Sequence, residues 1–188
     1  MAVTAADART VDQLLSVVRA GGQPRYLLFW GHQPPPGGGA GKGCLSQWWP
    51  AAFTVDGVSY ASAEHYMMAA KARLSGDAET AGKILAAPHP GAAKALGRQV
   101  RGFDEQRWAE HRFDAVVAGN LAKFGQHRQL RDFLAGTGSR VIVEASPRDR
   151  VWGIGLAADD ERAQSPELWP GLNLLGFALM EVRHQLGA

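Results

Sequence analysis

The sequence predicts an α+β fold: a single compact domain, mainly helical, with a few short strands. Two observations predict it. Segments with apolar residues at helical spacing, most opened by a capping residue and closed by glycine or proline, outnumber the short β-branched and aromatic runs. The length, 188 residues, suits one hydrophobic core and is short for two. Residues 1–26 are set apart as a helical extension and 27–188 as the domain itself.

The elements follow in chain order. Thr10-Val-Asp-Gln13 is a capping box, and Val11, Leu14, Leu15 and Val18 continue it as a helix that Gly21-Gly22 stops. Tyr26-Leu-Leu-Phe-Trp30 is a buried strand by its aromatic and aliphatic content. Pro34 to Gly43 is too rich in proline and glycine for anything but a loop. Asp56-Gly57 turns a small hairpin over 53–60. Ser62 caps a helix to about Arg73, Asp77 caps a second from Ala78 to Ala86, and Pro90 starts a third that Gly97 closes. Asp104 opens the longest helix, roughly 105–125, with Leu130, Phe133 and Leu134 as its continuation. Val141-Ile-Val-Glu144 is a buried strand ended before Pro147, and Asn173 caps a last helix carrying Leu175, Leu179, Val182 and Leu186.

Composition removes several functions. No apolar run approaches the ~18–20 residues of a membrane span, and no greasy leader follows a basic head, so a soluble cytoplasmic protein with no membrane partner is expected. The one cysteine, Cys44, excludes an internal disulfide and an all-cysteine metal site. A net charge of +2 without a block of like charge argues against bulk nucleic acid as partner. The histidines show no zinc spacing, so no metal and no cofactor are expected. Gly41-Lys42 is no phosphate loop, since Pro36 stands where a glycine is needed and Gly43 where Ser or Thr is needed.

What remains unusual is 23 glycines, about 12% against a usual ~7%, together with six tryptophans. Many lie where polar residues abut aromatics in turns: Phe29-Trp-Gly31, Ser46-Gln-Trp48, Lys123-Phe124, Trp152-Gly153 and Gly171-Leu-Asn173. A planar heterocyclic ligand suits such a set, because indole faces stack on a base and glycines let backbone approach sugar and phosphate. A tryptophan-rich core is the plainer alternative. Glu64 falls in the first turn of a helix, either as an inert partner of the helix dipole or as a general base held by the same amides. Asp149, between Arg148 and Arg150, and Glu144, closing a strand, are further carboxylates. Lys71, Lys123 and Arg98 are candidate phosphate ligands, or cations at a helix rim.

In order along the chain, Phe29-Trp-Gly-His32, Cys44-Leu-Ser-Gln-Trp-Trp-Pro50, Ala61-Ser-Ala-Glu-His-Tyr-Met-Met68, Lys71-Ala72, Gly97-Arg98, Trp108, Lys123-Phe124, Glu144-Ala-Ser-Pro-Arg-Asp149, Trp152-Gly-Ile-Gly155 and Gly171-Leu-Asn-Leu-Leu-Gly176 resemble the NADAR, or YbiA-like, domains. Two departures are Leu74-Ser-Gly-Asp77, where the family usually has Phe-Gly-Asp, and a longer Pro/Gly loop. The resemblance implies an N-glycosidase. Its substrate would be a small ribosylated molecule, an early riboflavin-synthesis intermediate; the alternative within the family is an ADP-ribosyl-guanine glycosidase that reverses ADP-ribosylation of nucleic acid. It implies Glu64, Asp149 and Trp108 as catalytic residues: Glu64 orients water or stabilises the cationic transition state, and Asp149 assists as acid or second carboxylate. Trp108 and Trp152 would hold base and ribose, and Arg98, Lys71 and Lys123 the phosphate. Phe29, Gly31, Ser46, Trp48, Glu144, Gly153 and Asn173 complete the expected substrate contacts. A non-catalytic module that senses NAD or ADP-ribose is the alternative from another class.

Overall fold

The computed structural model describes residues 4–187. In chain order the described elements are α1 (Val11–Arg19), β1 (Tyr26–Phe29), β2 (Phe53–Val55), β3 (Val58–Tyr60), α2 (Ala63–Leu74), α3 (Ala78–Leu85), α4 (Pro90–Gly97), α5 (Glu105–Gln126), α6 (Arg128–Ala135), β4 (Val141–Glu144) and α7 (Leu174–Gln185). Helices dominate and strands are short, which is the α+β class the sequence predicts. The chain falls into two compact units, Met1–Leu45 with Gln129–Ala188, and Ser46–Arg128.

In the first unit β1 and β4 pair in parallel, Tyr26 opposite Val141 and Phe29 opposite Glu144. Val141, Ile142 and Val143 are fully buried, as a strand covered on both faces requires. The N-terminal helix belongs to this core: Leu14 is fully buried, and Arg9 Nε donates to Glu181 Oε2 of α7 at 2.6 Å. The Thr10 hydroxyl accepts from Gln13 N as the capping box requires, but the Gln13 side chain accepts from Arg9 N at 2.7 Å, one residue earlier than the box expects.

Tyr26 packs edge-on against Trp169, ring centres 5.9 Å apart. Burial, helped by the Glu167 carboxylate, pushes its phenol up to about 12. An unfolded phenol ionises near 10. The folded state therefore keeps a proton that the unfolded state loses, so this contribution to stability is complete below about pH 10 and disappears as pH rises through about 12. Tyr26→Phe is expected to flatten that part of the alkaline decline in urea midpoints; an unchanged slope would show that Tyr26 does not titrate this way.

In the second unit β2 and β3 form the expected hairpin, with Asp56 and Gly57 both at positive φ as a tight turn demands. Ser62, Asp77 and Asp104 cap α2, α3 and α5 by accepting from His65 N, Thr80 N and Arg107 N. Asp77 does more than cap. Hydrogen bonds from the Arg101 guanidinium and its backbone N–H, with those from Thr80, hold its carboxyl far below the usual carboxylate range. A Cβ at Gly97 would overlap Met68 Sδ, and one at Gly119 would lie 2.6 Å from Tyr66 Cδ1, so both glycines set how closely α4 and α5 approach α2.

Two boundaries differ from the sequence expectation. Leu130, Phe133 and Leu134 do not continue α5: the chain breaks at His127 (φ −120°, ψ 97°) and restarts as α6. Gln126 exchanges hydrogen bonds with Thr54 N and O at 2.9 and 2.7 Å, and His127 Nε2 donates to Ala52 O, so docking on the hairpin decides where α5 stops. At the other end of the chain, Asn173 makes no capping bond for α7; it sits in the left-handed region (φ 54°) and turns its side chain to β4.

Candidate active site

Within Ser46–Arg128, the polar residues around Glu64 converge on the backbone of residues 46 and 47. Glu64 lies in the first turn of α2 and is 2% exposed. Its N–H donates to Gln47 O at 3.0 Å, while Lys123 Nζ, from a fully buried side chain on α5, donates to the neighbouring carbonyl of Ser46 at 2.8 Å. Gln47 Oε1 accepts from Asn120 Nδ2 at 2.7 Å. Three residues apart on α5, Asn120 and Lys123 share a face, which is how the helix brings both to one segment.

The turn that carries Glu64 is locked from its other side. His65 Nε2 lies 3.1 Å from Ala87 O, and a carbonyl only accepts, so this nitrogen carries the proton; in the neutral ring Nδ1 then accepts the Ser62 hydroxyl proton across 2.7 Å. Ser62→Ala removes both the N-cap and this anchor. It is expected to cost about 1–2 kcal/mol in urea unfolding, and a loss of only a few tenths would mean that the cap does not hold the turn.

Within the first unit, the expected residues gather where the parallel strands end, the edge at which open sheets bind ligands. Phe29 is a core side chain, 2% exposed, and its carbonyl accepts from Ala145 N; Gly31, at φ +78°, turns the chain just beyond. Asn173 is fully buried and clasps β4, its Oδ1 accepting from Glu144 N at 3.0 Å and its Nδ2 donating to Ile142 O at 2.9 Å. Asp149 Oδ1 accepts from Val151 N and Trp152 N at 2.9 and 2.8 Å, fixing the turn that presents Trp152. Gly153 has no alternative: a Cβ there would lie 2.8 Å from Glu144 O and 3.1 Å from Asp149 O. Leu174 N and Leu175 N donate to Val151 O and Trp152 O, which seals the 149–155 loop against the start of α7.

Not every expected residue joins these clusters. Trp108, 7% exposed, lines a groove of about 490 Å³ between α2 and α5 with Arg73, Leu74 and Arg107. Those α2 residues lie about ten positions beyond Glu64, roughly 15 Å of helix rise, so Trp108 is at the far end of the helix pair from Glu64. Lys71 Nζ donates to Gly97 O at 2.9 Å and sits 3.9 Å over the Phe103 ring; burial pushes its pKa down, opposed by Glu105. Arg98 is an exposed residue ending α4. Ser46 accepts from Trp48 N through its hydroxyl, and half-buried Trp48 packs beside Gly91.

Sequence reasoning missed Gln47, Asn120 and the Ser62–His65–Ala87 chain, whose polar atoms meet only once α2 and α5 are packed. It also missed the His89 cap of α4, whose Nδ1 accepts from Ala92 N at 3.0 Å. Among the described residues, no group of three or more His, Cys, Asp or Glu could hold a metal ion, and no helix is long and apolar enough to cross a membrane.

The NADAR domain model matches residues 28–187. An N-glycosidase of Acanthamoeba polyphaga mimivirus is 42% identical over 166 residues, spanning 86% of this chain and 96% of the viral protein. The N-glycosidase YbiA of Escherichia coli is 30% identical over 138 residues, 73% of this chain and 76% of that one. The NMR structure of the E. coli protein YbiA superposes with a TM-score of 0.69 at 26% identity, covering 88% of this chain and 87% of the other. A riboflavin biosynthesis protein of Vibrio vulnificus is 31% identical over 144 residues, 77% of this chain but 35% of that longer protein.

Proposed function

The chain belongs to the NADAR family and is a hydrolase acting on N-glycosyl bonds, and from that premise we propose that its substrate is a small ribosylated molecule, a ribosylaminopyrimidine phosphate of the kind formed early in riboflavin synthesis. The observation that carries the mechanism is a carboxylate, Glu64, 2% exposed in the first turn of α2. The bond from the anomeric carbon to nitrogen breaks with its electron pair leaving on nitrogen, which takes up a proton. Water adds to the sugar carbon and gives up a proton. The transition state is cationic at the sugar, so a buried carboxylate both stabilises it and accepts the proton of the water.

Asp149 has one oxygen committed to its turn and the other available as the second carboxylate or acid. Trp152, held by that turn, offers an indole to the base or ribose. Arg98 is the first candidate for phosphate. Lys71 spends one of three ammonium donors on a carbonyl and keeps others for an anion, and Lys123, held on Ser46 O, brings its positive charge to the segment that carries Glu64. Trp108 enters this reading as a residue of the helix pair that carries Glu64 and Lys123, not as a contact of the base. The near-neutral net charge and the name of the Vibrio vulnificus relative support the small-molecule substrate.

A hydrolysis panel tests the reading: ribosylaminopyrimidine phosphates beside ADP-ribosyl guanosine, with free base followed by chromatography. Faster release from the pyrimidine is expected. Release from ADP-ribosyl guanosine alone would overturn the substrate, and release from neither would favour a nucleotide-sensing module.

A further inference from the structure

The groove between α2 and α5 collects hydrogen-bond donors that the protein itself does not use. Trp108 lines it, yet the indole N–H of this nearly buried ring donates to no described residue. The Arg107 guanidinium makes no hydrogen bond or ion pair with any described residue, and neither does the Tyr66 hydroxyl. His111, which also lines the groove, donates through Nδ1 to Arg107 O at 2.8 Å. Arg73 has only a neutral acceptor, the Tyr60 hydroxyl at 2.6 Å. No Asp or Glu lines the groove.

We propose that this groove is a second ligand site, for a phosphorylated planar compound such as a nucleotide. Cations without carboxylate partners supply the attraction for phosphate, and arginine adds a planar fork of donors. Tyr66 and Trp108 give aromatic surface for the ring. The volume, about 490 Å³, is that of a small-molecule site. The groove lies on another face of α2 from Glu64: Tyr66 and Arg73 follow Glu64 by two and nine residues, each about half a turn away around the helix and about 3 and 13 Å along it. An occupant therefore meets the opposite face of the helix that carries the carboxylate.

The test is binding, so it stands apart from whether the chain hydrolyses ribosides. In ¹⁵N-labelled protein, with the Trp108 indole signal assigned through Trp108→Phe, adenosine monophosphate is titrated beside adenosine and inorganic phosphate. The monophosphate is expected to move the Trp108 signal in a saturable way and more tightly than either part alone. Arg107→Gln should raise Kd about tenfold, the loss of one charge-assisted contact, while Glu64→Gln leaves it unchanged. A Trp108 signal that stays still, a Kd indifferent to Arg107→Gln, or binding abolished by Glu64→Gln would each overturn the site.

Discussion

Glu64→Gln is expected to lower N-glycosidase turnover by about two to four orders of magnitude and to leave the fold in place. The substitution is nearly isosteric. It keeps the acceptor oxygen and the backbone N–H bond to Gln47 O, and it removes the charge that would stabilise a cationic sugar and take the proton from water. The cost to folding is small. Loss of the favourable term between a carboxylate and the first-turn amides is about 0.3–1 kcal/mol, and the Ser62 cap and the His65 anchor remain. The measurement is kcat on whichever riboside is released fastest, paired with the urea midpoint. A fall in kcat with an unchanged midpoint supports the assignment. Near-wild-type turnover would sink it, and Asp149→Asn would then be the variant to examine first.

The largest loss of stability is expected from Gly176→Ala, about 3 kcal/mol in a domain whose margin is commonly ~5–15 kcal/mol. A Cβ on Gly176 would overlap the carbonyl oxygen of Ile142 and lie 2.5 and 2.6 Å from Asn173 Nδ2 and Oδ1. Neither neighbour can swing aside. The carbonyl belongs to a fully buried strand, and Asn173 is committed to Ile142 O and Glu144 N. The first turn of α7 must lift from β4, opening buried hydrogen bonds and disturbing the strand end that carries Glu144. Gly82→Ala is the control. Gly82 is an exposed residue inside α3 with nothing within 4 Å of a built Cβ, so the same substitution should stabilise by about 0.5–1 kcal/mol. Opposite signs in chemical unfolding are the expected result; a neutral Gly176→Ala would mean that α7 does not press on β4.

The N-terminal ends of α2, α3 and α5 were legible because a cap is a local device: the Ser62, Asp77 and Asp104 side chains each accept from a backbone N–H three residues on. The hairpin was legible for the same reason, since Asp56-Gly57 carries its own turn geometry. The end of α5 was not, because Gln126 and His127 have no local reason to stop a helix and find their partners on residues 52 and 54. Asn173 shows both sides. Its place in an aromatic- and glycine-rich motif marked it as unusual, but the sequence reads as an N-cap what packing turns into a clasp on β4.

By itself, then, the sequence determined the helix-dominated class, most element starts and the family, because these rest on local hydrogen bonding and on an ordered string of motifs. Tertiary structure decided which candidates stand together. Glu64 and Lys123 are 59 positions apart and meet on adjacent carbonyls. Trp108, fifteen residues before Lys123 on one helix, is carried roughly 22 Å away by helical rise and placed among unused donors instead. Spacing along a chain fixes what a residue can do to its neighbours within a turn or two; only the packing of α2 on α5 fixes what faces what across helices.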